Sequence, residues 1–359
     1  MEYFNKYISN SIAGTSNQSF FISDNENKVG RVVYKPLNFG KFNYSFLFSN
    51  VIDSTYADGE ISHKNLILDA WQIVNLKATS AILSSDNKIT ECREFSSVLF
   101  SGSESKIVAP GEFFSSDPIE LEIKQNEYLL LEIEFKGKQI PFHPEIIIPT
   151  YLKQGDGWVS SLEMPVPGMI GIERKVNKKI AFLGDSITQG IGTPFNSYEH
   201  YASVAANIIG NSYSYWNLGI GYGRAEDISA DGAWSFKAKQ NDIVVLCCGV
   251  NDILHGNRSA DHIKNSIETV IDKLNEARCK ILLQTIPPFS YSEDKKVVWE
   301  NINAYILNVL SKKVAYVFDN RNILSDQNEF HIAKYGAHPN SEGCKLWGEA
   351  LAQAILKIL

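Results

Sequence analysis

Between residues 30 and 150, apolar positions come in short runs separated by turn residues: RVVYK, YSFLFSN, ILDAWQIV, SSVLFSG, KIVAP, IELEI, YLLLEIEF and PEIIIPTYL. In IELEI the alternation has period two, with Ile119, Leu121 and Ile123 on one face and Glu120 and Glu122 on the other. Pro110-Gly111 and Asp117-Pro118 mark turns between such runs. No helical stripe interrupts them. The pattern predicts an antiparallel β-sandwich, jelly-roll-like, over residues 1–150. Residues 151–178 hold four glycines and two prolines without clear periodicity, and are expected to form a linker.

From Lys179 the texture changes. KIAFLG, YWNLG, NDIVVLCCG, KILLQTI and VAYVFD are nearly continuous apolar strands. Between them lie helical stretches: SYEHYASVAANII, ADHIKNSIETVIDKLNEA, WENINAYILNVLSKK and the closing SEGCKLWGEALAQAILKIL. Ile263, Ile267, Val270, Ile271 and Leu274 make one apolar stripe. A helix near AEDISADGAW has the faintest pattern. Apolar strands alternating with helices predict an α/β domain over 179–359, a parallel sheet in a three-layer α/β/α arrangement. Chemistry in such sheets collects beyond the carboxyl ends of the strands.

Four blocks follow strands there. Gly184-Asp185-Ser186-Ile187-Thr188 can expose a hydroxyl at a strand-to-helix turn, although Ser186 could equally be an ordinary cap. Thr188 departs from the G-x-S-x-G elbow, and no G-K-[ST] phosphate loop is present. Asn217-Leu218-Gly219-Ile220-Gly221-Tyr222-Gly223-Arg224 carries alternate glycines that let backbone N–H groups approach an anion. Arg224 could meet an acidic substrate, but is expected to cap its loop. Gly249-Val250-Asn251-Asp252 offers a neutral amide donor suited to a developing oxyanion, in a sequence that also suits a plain turn. Before the last helix, Tyr335-Gly336-Ala337-His338-Pro339-Asn340 supplies a loop imidazole that could take a proton from Ser186.

In this order the four blocks resemble the GDSL or SGNH hydrolase family, over roughly residues 178–359. The resemblance implies a carboxylic ester hydrolase with Ser186 as nucleophile and His338 as general base. It implies an oxyanion hole from the Ser186 N–H, a backbone N–H at Gly221 or Tyr222, and the Asn251 amide. Two positions depart from the family. Tyr335 stands where an aspartate usually orients the histidine, leaving a Ser–His dyad or a relocated carboxylate, Asp326 or Glu329. Tyr222 stands at the usual oxyanion glycine. The N-terminal half more distantly resembles the β-sandwich of two-domain members, several of which act on acylated carbohydrates. The expected substrate is therefore a small acyl ester, acetyl above all, on a saccharide. A lipid or thioester acyl hydrolase, an acyltransferase and a non-catalytic carbohydrate-binding protein are the alternatives. Phe42, Tyr44, Trp71 and Trp158 are sandwich core or a sugar-facing surface.

Composition narrows this further. Lys plus Arg is 34 against 41 for Asp plus Glu, a net charge of −7 that gives no basic footprint for nucleic acid. At 44% hydrophobic, the 359 residues can bury two cores. Five cysteines without CxxC spacing predict neither a disulfide framework nor a zinc site, and Cys247 and Cys248 read as core. His255 and His262, seven apart, could share a helix face but lack a carboxylate cluster. Neither metal nor cofactor is expected. No uninterrupted apolar run of membrane-spanning length, about 18 residues, occurs, so no membrane partner is expected. With no secretory pattern in the opening residues, a cytoplasmic location is expected, a mature secreted form remaining open.

Overall fold

The computed structural model describes residues 2–54, 62–256 and 258–359. The chain divides into two units, Met1–Ile52 with Asn65–Lys175, and Asp53–Lys64 with Val176–Leu359.

The first unit is all-β apart from one short helix, Tyr3–Lys6, and its strand pairs are antiparallel. A larger sheet is centred on Lys28–Tyr34, Tyr128–Gly137 and Trp71–Leu83, and a smaller one on Gly40–Ser49. Period-two alternation decides which side chains enter the core. Leu131, Ile133 and Phe135 are fully buried, while Glu132 and Glu134 project from the opposite face. Ile119–Ile123 behaves likewise, with Leu121 and Ile123 buried and both glutamates exposed. Tyr44 and Trp71 belong to the core, whereas Phe42 and Trp158 are only half-buried.

The stretch 151–178, expected as a linker, is largely strand. Thr150–Gln154 and Gly157–Ser160 form a hairpin on the larger sheet, turning at Gly155 in the left-handed region (φ 56°). Met169–Glu173 lies between Tyr7–Ser9 and Gly40–Ser49 in the smaller sheet. Their shortness and flanking prolines hid these strands. They are stabilised by partners far away in the chain rather than by local pattern.

The second unit holds β1 (Lys179–Gly184), β2 (Ser214–Gly219), β3 (Ile243–Cys247), β4 (Lys280–Gln284) and β5 (Tyr316–Phe318). Their order is 2-1-3-4-5, and all four neighbouring pairs are parallel. The helices are α1 (Ser186–Gln189), α2 (Tyr201–Ile209), α3 (Ala225–Ser229), α4 (Ala233–Ala238), α5 (Val250–Leu254), α6 (Ala260–Glu276), α7 (Glu293–Asn308), α8 (Arg321–Leu324) and α9 (Ser341–Leu356). The predicted stripe of α6 is its buried face. Near AEDISADGAW the chain makes two short helices, α3 and α4, because Asp231 adopts a left-handed backbone (φ 55°) between them. Asp53, distant in sequence from the rest of this unit, places its carboxylate 2.7 Å from Lys237 Nζ, and both groups are buried. Among the described residues no helix is long and apolar enough to cross a membrane.

Strand order reverses between β1 and β3, so the connections leaving their carboxyl ends diverge to opposite faces and open a crevice there.

Candidate active site

Register brings three strand ends level: Gly184 of β1 is paired with Gly219 of β2 and with Cys247 of β3. A side chain at Gly184 would be impossible without movement, since a Cβ would lie 2.2 Å from both the Cys247 carbonyl and Thr188 Oγ1. The chain therefore turns tightly into α1. Asp185 caps that helix, accepting a hydrogen bond from the Ile187 N–H at 3.0 Å, and Ser186 is its first residue. Thr188 is tied to the Tyr201 hydroxyl at 2.7 Å.

His338 Nε2 stands 2.8 Å from Ser186 Oγ, although 152 residues separate them. The path that places it there runs from α8 through a loop to α9. Asn340 caps α9 by accepting from the Gly343 N–H at 3.0 Å, and its own N–H donates to the Tyr335 carbonyl at 3.1 Å. Gly192, in the left-handed region (φ 103°), lets the loop after α1 pack on the His338 backbone, where a Cβ would come within 2.7 Å of the His338 carbonyl. The Phe289 ring meets the imidazole edge-to-face, centroids 5.3 Å apart. Burial lowers the His338 pKa below the ordinary imidazole value of 6.5, so the ring is neutral and able to accept a proton near pH 7.

Among the described residues, the contact with Ser186 is the sole hydrogen bond of the His338 ring. The two carboxylates considered from sequence are engaged elsewhere. Asp326 accepts from the Asn328 N–H at 2.9 Å, and Glu329 lies 3.5 Å from His331 Nε2. Both stabilise their own loop rather than reaching His338. Tyr335 packs against the first turn of α9 at Gly343.

The other two blocks form an interlocked pair of turns. Asn217 donates to the Thr188 carbonyl at 2.9 Å and accepts from the Gly219 N–H at 2.8 Å, tying the end of β2 to α1. Tyr222 is left-handed (φ 57°), the conformation expected of a glycine at this place. Asn251, in the first turn of α5, donates through Nδ2 to the Gly223 carbonyl at 3.0 Å. An amide nitrogen carries two hydrogens, so this bond orients the group while a second N–H remains. Asp252 accepts from the Ala225 N–H at 2.9 Å and the Glu226 N–H at 3.4 Å. Asn217 and Asp252 were not singled out from sequence as fasteners of these turns; their positions inside the blocks were the available signal. Arg224 is buried and its guanidinium pairs with Asp227, whose carboxylate also accepts from the Arg224 backbone N–H at 3.1 Å, so Asp227 rather than the Arg224 side chain does the capping.

Two buried carboxyls lie under these turns. Burial pushes Asp185 up to about 7, the Asp252 charge adding to the rise and the Ile187 N–H opposing it. Burial likewise pushes Asp252 up to about 6 against its two backbone donors. His255 and His262 do not share a helix: His255 ends α5 with its ring 5.3 Å from that of Tyr222, and His262 in α6 faces Glu226 at 3.4 Å. Among the described residues no group of three or more His, Cys, Asp or Glu side chains is disposed to hold a metal ion. All five cysteines are free thiols, with Cys247 and Cys248 buried.

Residues 182–346 match the GDSL-like lipase/acylhydrolase family. The second unit carries a domain of that family. An acetylxylan esterase from Xylanibacter ruminicola is 24% identical over 251 residues, covering 61% of this chain and 49% of that protein. The chain thus spans about half the length of that curated relative. Similar solved structures include a lipolytic protein of the G-D-S-L family from Desulfitobacterium hafniense (19% identity, TM-score 0.42) and an acetyl xylan esterase (23% identity, TM-score 0.40). Each covers 49% of this chain and 99% of its own. In this domain the serine block falls just after the first matched strand and the histidine block just before the last helix.

Proposed function

We propose that the protein is a serine esterase that removes small acyl groups, acetyl above all, from carbohydrate esters. Its GDSL-type domain would present the site on a three-layer α/β/α scaffold, with an N-terminal β-sandwich. The observation that carries this reading is the 2.8 Å contact between Ser186 Oγ and His338 Nε2 at the carboxyl ends of a parallel sheet. A hydroxyl directed at a neutral imidazole is prepared to become an alkoxide equivalent as it attacks. Ser186 attacks the acyl carbonyl while Nε2 takes its proton. The resulting oxyanion is met by the Ser186 N–H, by a backbone N–H at Gly221 or Tyr222, and by the second amide hydrogen of Asn251. The imidazolium then protonates the departing alcohol, and water delivers the acyl group as its acid.

With no hydrogen-bond acceptor at Nδ1 among the described residues, the pair works as a dyad. The mechanism loses the stabilisation that a carboxylate gives the imidazolium, and retains the nucleophile and the oxyanion donors. The acetylxylan esterase likeness supports acetyl and saccharide as the two halves of the substrate.

The test is acetate release from acetylated xylan by the purified full-length chain, together with a series of p-nitrophenyl esters of increasing acyl length. Acetate release and a preference for the shortest acyl chain are expected. Preference for long chains would replace this reading by a lipid acyl hydrolase, and the absence of turnover together with no labelling of Ser186 by a fluorophosphonate would refute an esterase.

A further inference from the structure

The first unit has a groove that the esterase reading does not use. It lies on the outward face of the larger antiparallel sheet and encloses about 260 Å³. Register builds it. Glu132 stands opposite Arg31 on one neighbouring strand and Lys77 on the other. Glu134, two residues on and so on the same face, stands opposite Asn75. The alternate residues Leu131, Ile133 and Leu76 point into the core and are fully buried. The hairpin of Thr150–Gln154 and Gly157–Ser160 adds Lys153 and Trp158, which are themselves cross-strand partners.

At its centre the aromatic ring is held in place. The Arg31 guanidinium sits 3.9 Å from the centroid of the Trp158 ring and is fixed by Glu132, at 2.9 Å through Nε and 2.8 Å through Nη2. Around this fixed group are unused polar atoms. The side chains of Asn75, Lys77, Lys153 and Asp156 and the Trp158 indole N–H make no hydrogen bond or ion pair among the described residues. The lining charges balance: Arg31, Lys77 and Lys153 against Glu132, Glu134 and Asp156. A balanced set gives no net attraction for an anion or a cation. It offers many donors and acceptors to a neutral ligand rich in hydroxyls, whose apolar face can rest on an indole.

We propose that this groove is a binding site for a neutral saccharide, with Trp158 as its platform. Its volume falls near the lower end of ligand sites, about 300–1,000 Å³, and suits roughly one or two sugar rings of a longer chain.

The experiment is native affinity electrophoresis of the full-length protein in gels holding de-esterified soluble xylan, glucomannan or hydroxyethyl cellulose, with polygalacturonate as the anionic counterpart. At least one neutral polysaccharide should retard the protein, and Trp158→Ala and Asp156→Ala should each weaken that binding at least tenfold. Circular dichroism checks that Trp158→Ala is folded. Asp156 lies in an exposed turn, so its variant decides the matter if Trp158→Ala is not. No retardation by any neutral polysaccharide, retardation by polygalacturonate alone, or unaltered binding by the folded variants would each overturn the proposal. Because the probes carry no ester, failure here leaves the reading of Ser186 untouched.

Discussion

In the second unit the polar groups gathered around Ser186 lie at or beyond the carboxyl ends of strands, whereas in the first unit those gathered around Trp158 project from the strands and hairpin of a sheet face. The difference follows from how each sheet is covered. Strands β2 and β3 are buried along their whole length, so no strand face is left for chemistry, and function moves into the connections. The larger sheet of the first unit is covered along one face, while its other face is buried only at one end, around Val33, Ala81 and Leu130, and carries Arg31, Lys77, Glu132 and Glu134 beyond that. One consequence is tolerance. Strand-end turns are held by close backbone approach, as at Gly184, while outward sheet positions leave room for substitution.

Substitutions at Ser186 are the strongest way to break this comparison. Ser186→Ala should lower turnover of p-nitrophenyl acetate by about 10⁴-fold or more, since nucleophile removal disables the whole unit; retained turnover would move the chemistry away from the strand ends. Next comes Asn251→Ala, expected to cost about 10²–10³ in kcat if the amide meets the oxyanion. Steady-state kinetics on a sample with an unaltered melting curve checks it. The two faces of the larger sheet should then separate in thermal or urea unfolding. Leu131→Ala is expected to cost about 2–5 kcal/mol of stability, and Lys77→Ala no more than about 0.5 kcal/mol.

A subtler effect concerns pH. His338 acts as a base only when neutral, and burial lowers its pKa. The acid limb of kcat/KM should therefore have its midpoint below about 6.5, and a midpoint above that would call for a carboxylate beside the ring. The smallest effect concerns Asp185, whose folded pKa of about 7 lies above its ordinary 3.8. A raised carboxyl pKa contributes stability below about pH 4, and that contribution is lost as pH rises towards 7. Asp185→Asn keeps a capping side chain and should flatten the dependence of Tm on pH across that window. An unchanged slope would place the proton uptake elsewhere.

Much of the second unit was legible because its signals are local. Continuous apolar runs marked all five strands, a 3.6-residue stripe marked α6, and the four blocks sat where strands ended. The alternation of Ile119–Ile123 was equally plain in the first unit. Other features depended on partners far along the chain. Met169–Glu173 is a strand because two distant strands flank it. Trp158 and Arg31 meet only through sheet register. The engagement of Asp326 and Glu329 in their own loop depends on the path of that loop, and spacing alone left both able to reach His338.

The sequence by itself determined the two textures, the strand and helix periods, and which residue types follow each strand of the parallel sheet, because backbone preference and side-chain burial are set within a few turns of chain. The tertiary structure alone decided that Ser186 and His338 stand 2.8 Å apart, that Asp53 pairs with Lys237, and which face of the larger sheet gathers a groove around Trp158. Those contacts join positions separated by tens to hundreds of residues, and the folded path of the whole chain chooses among the many pairings that composition allows.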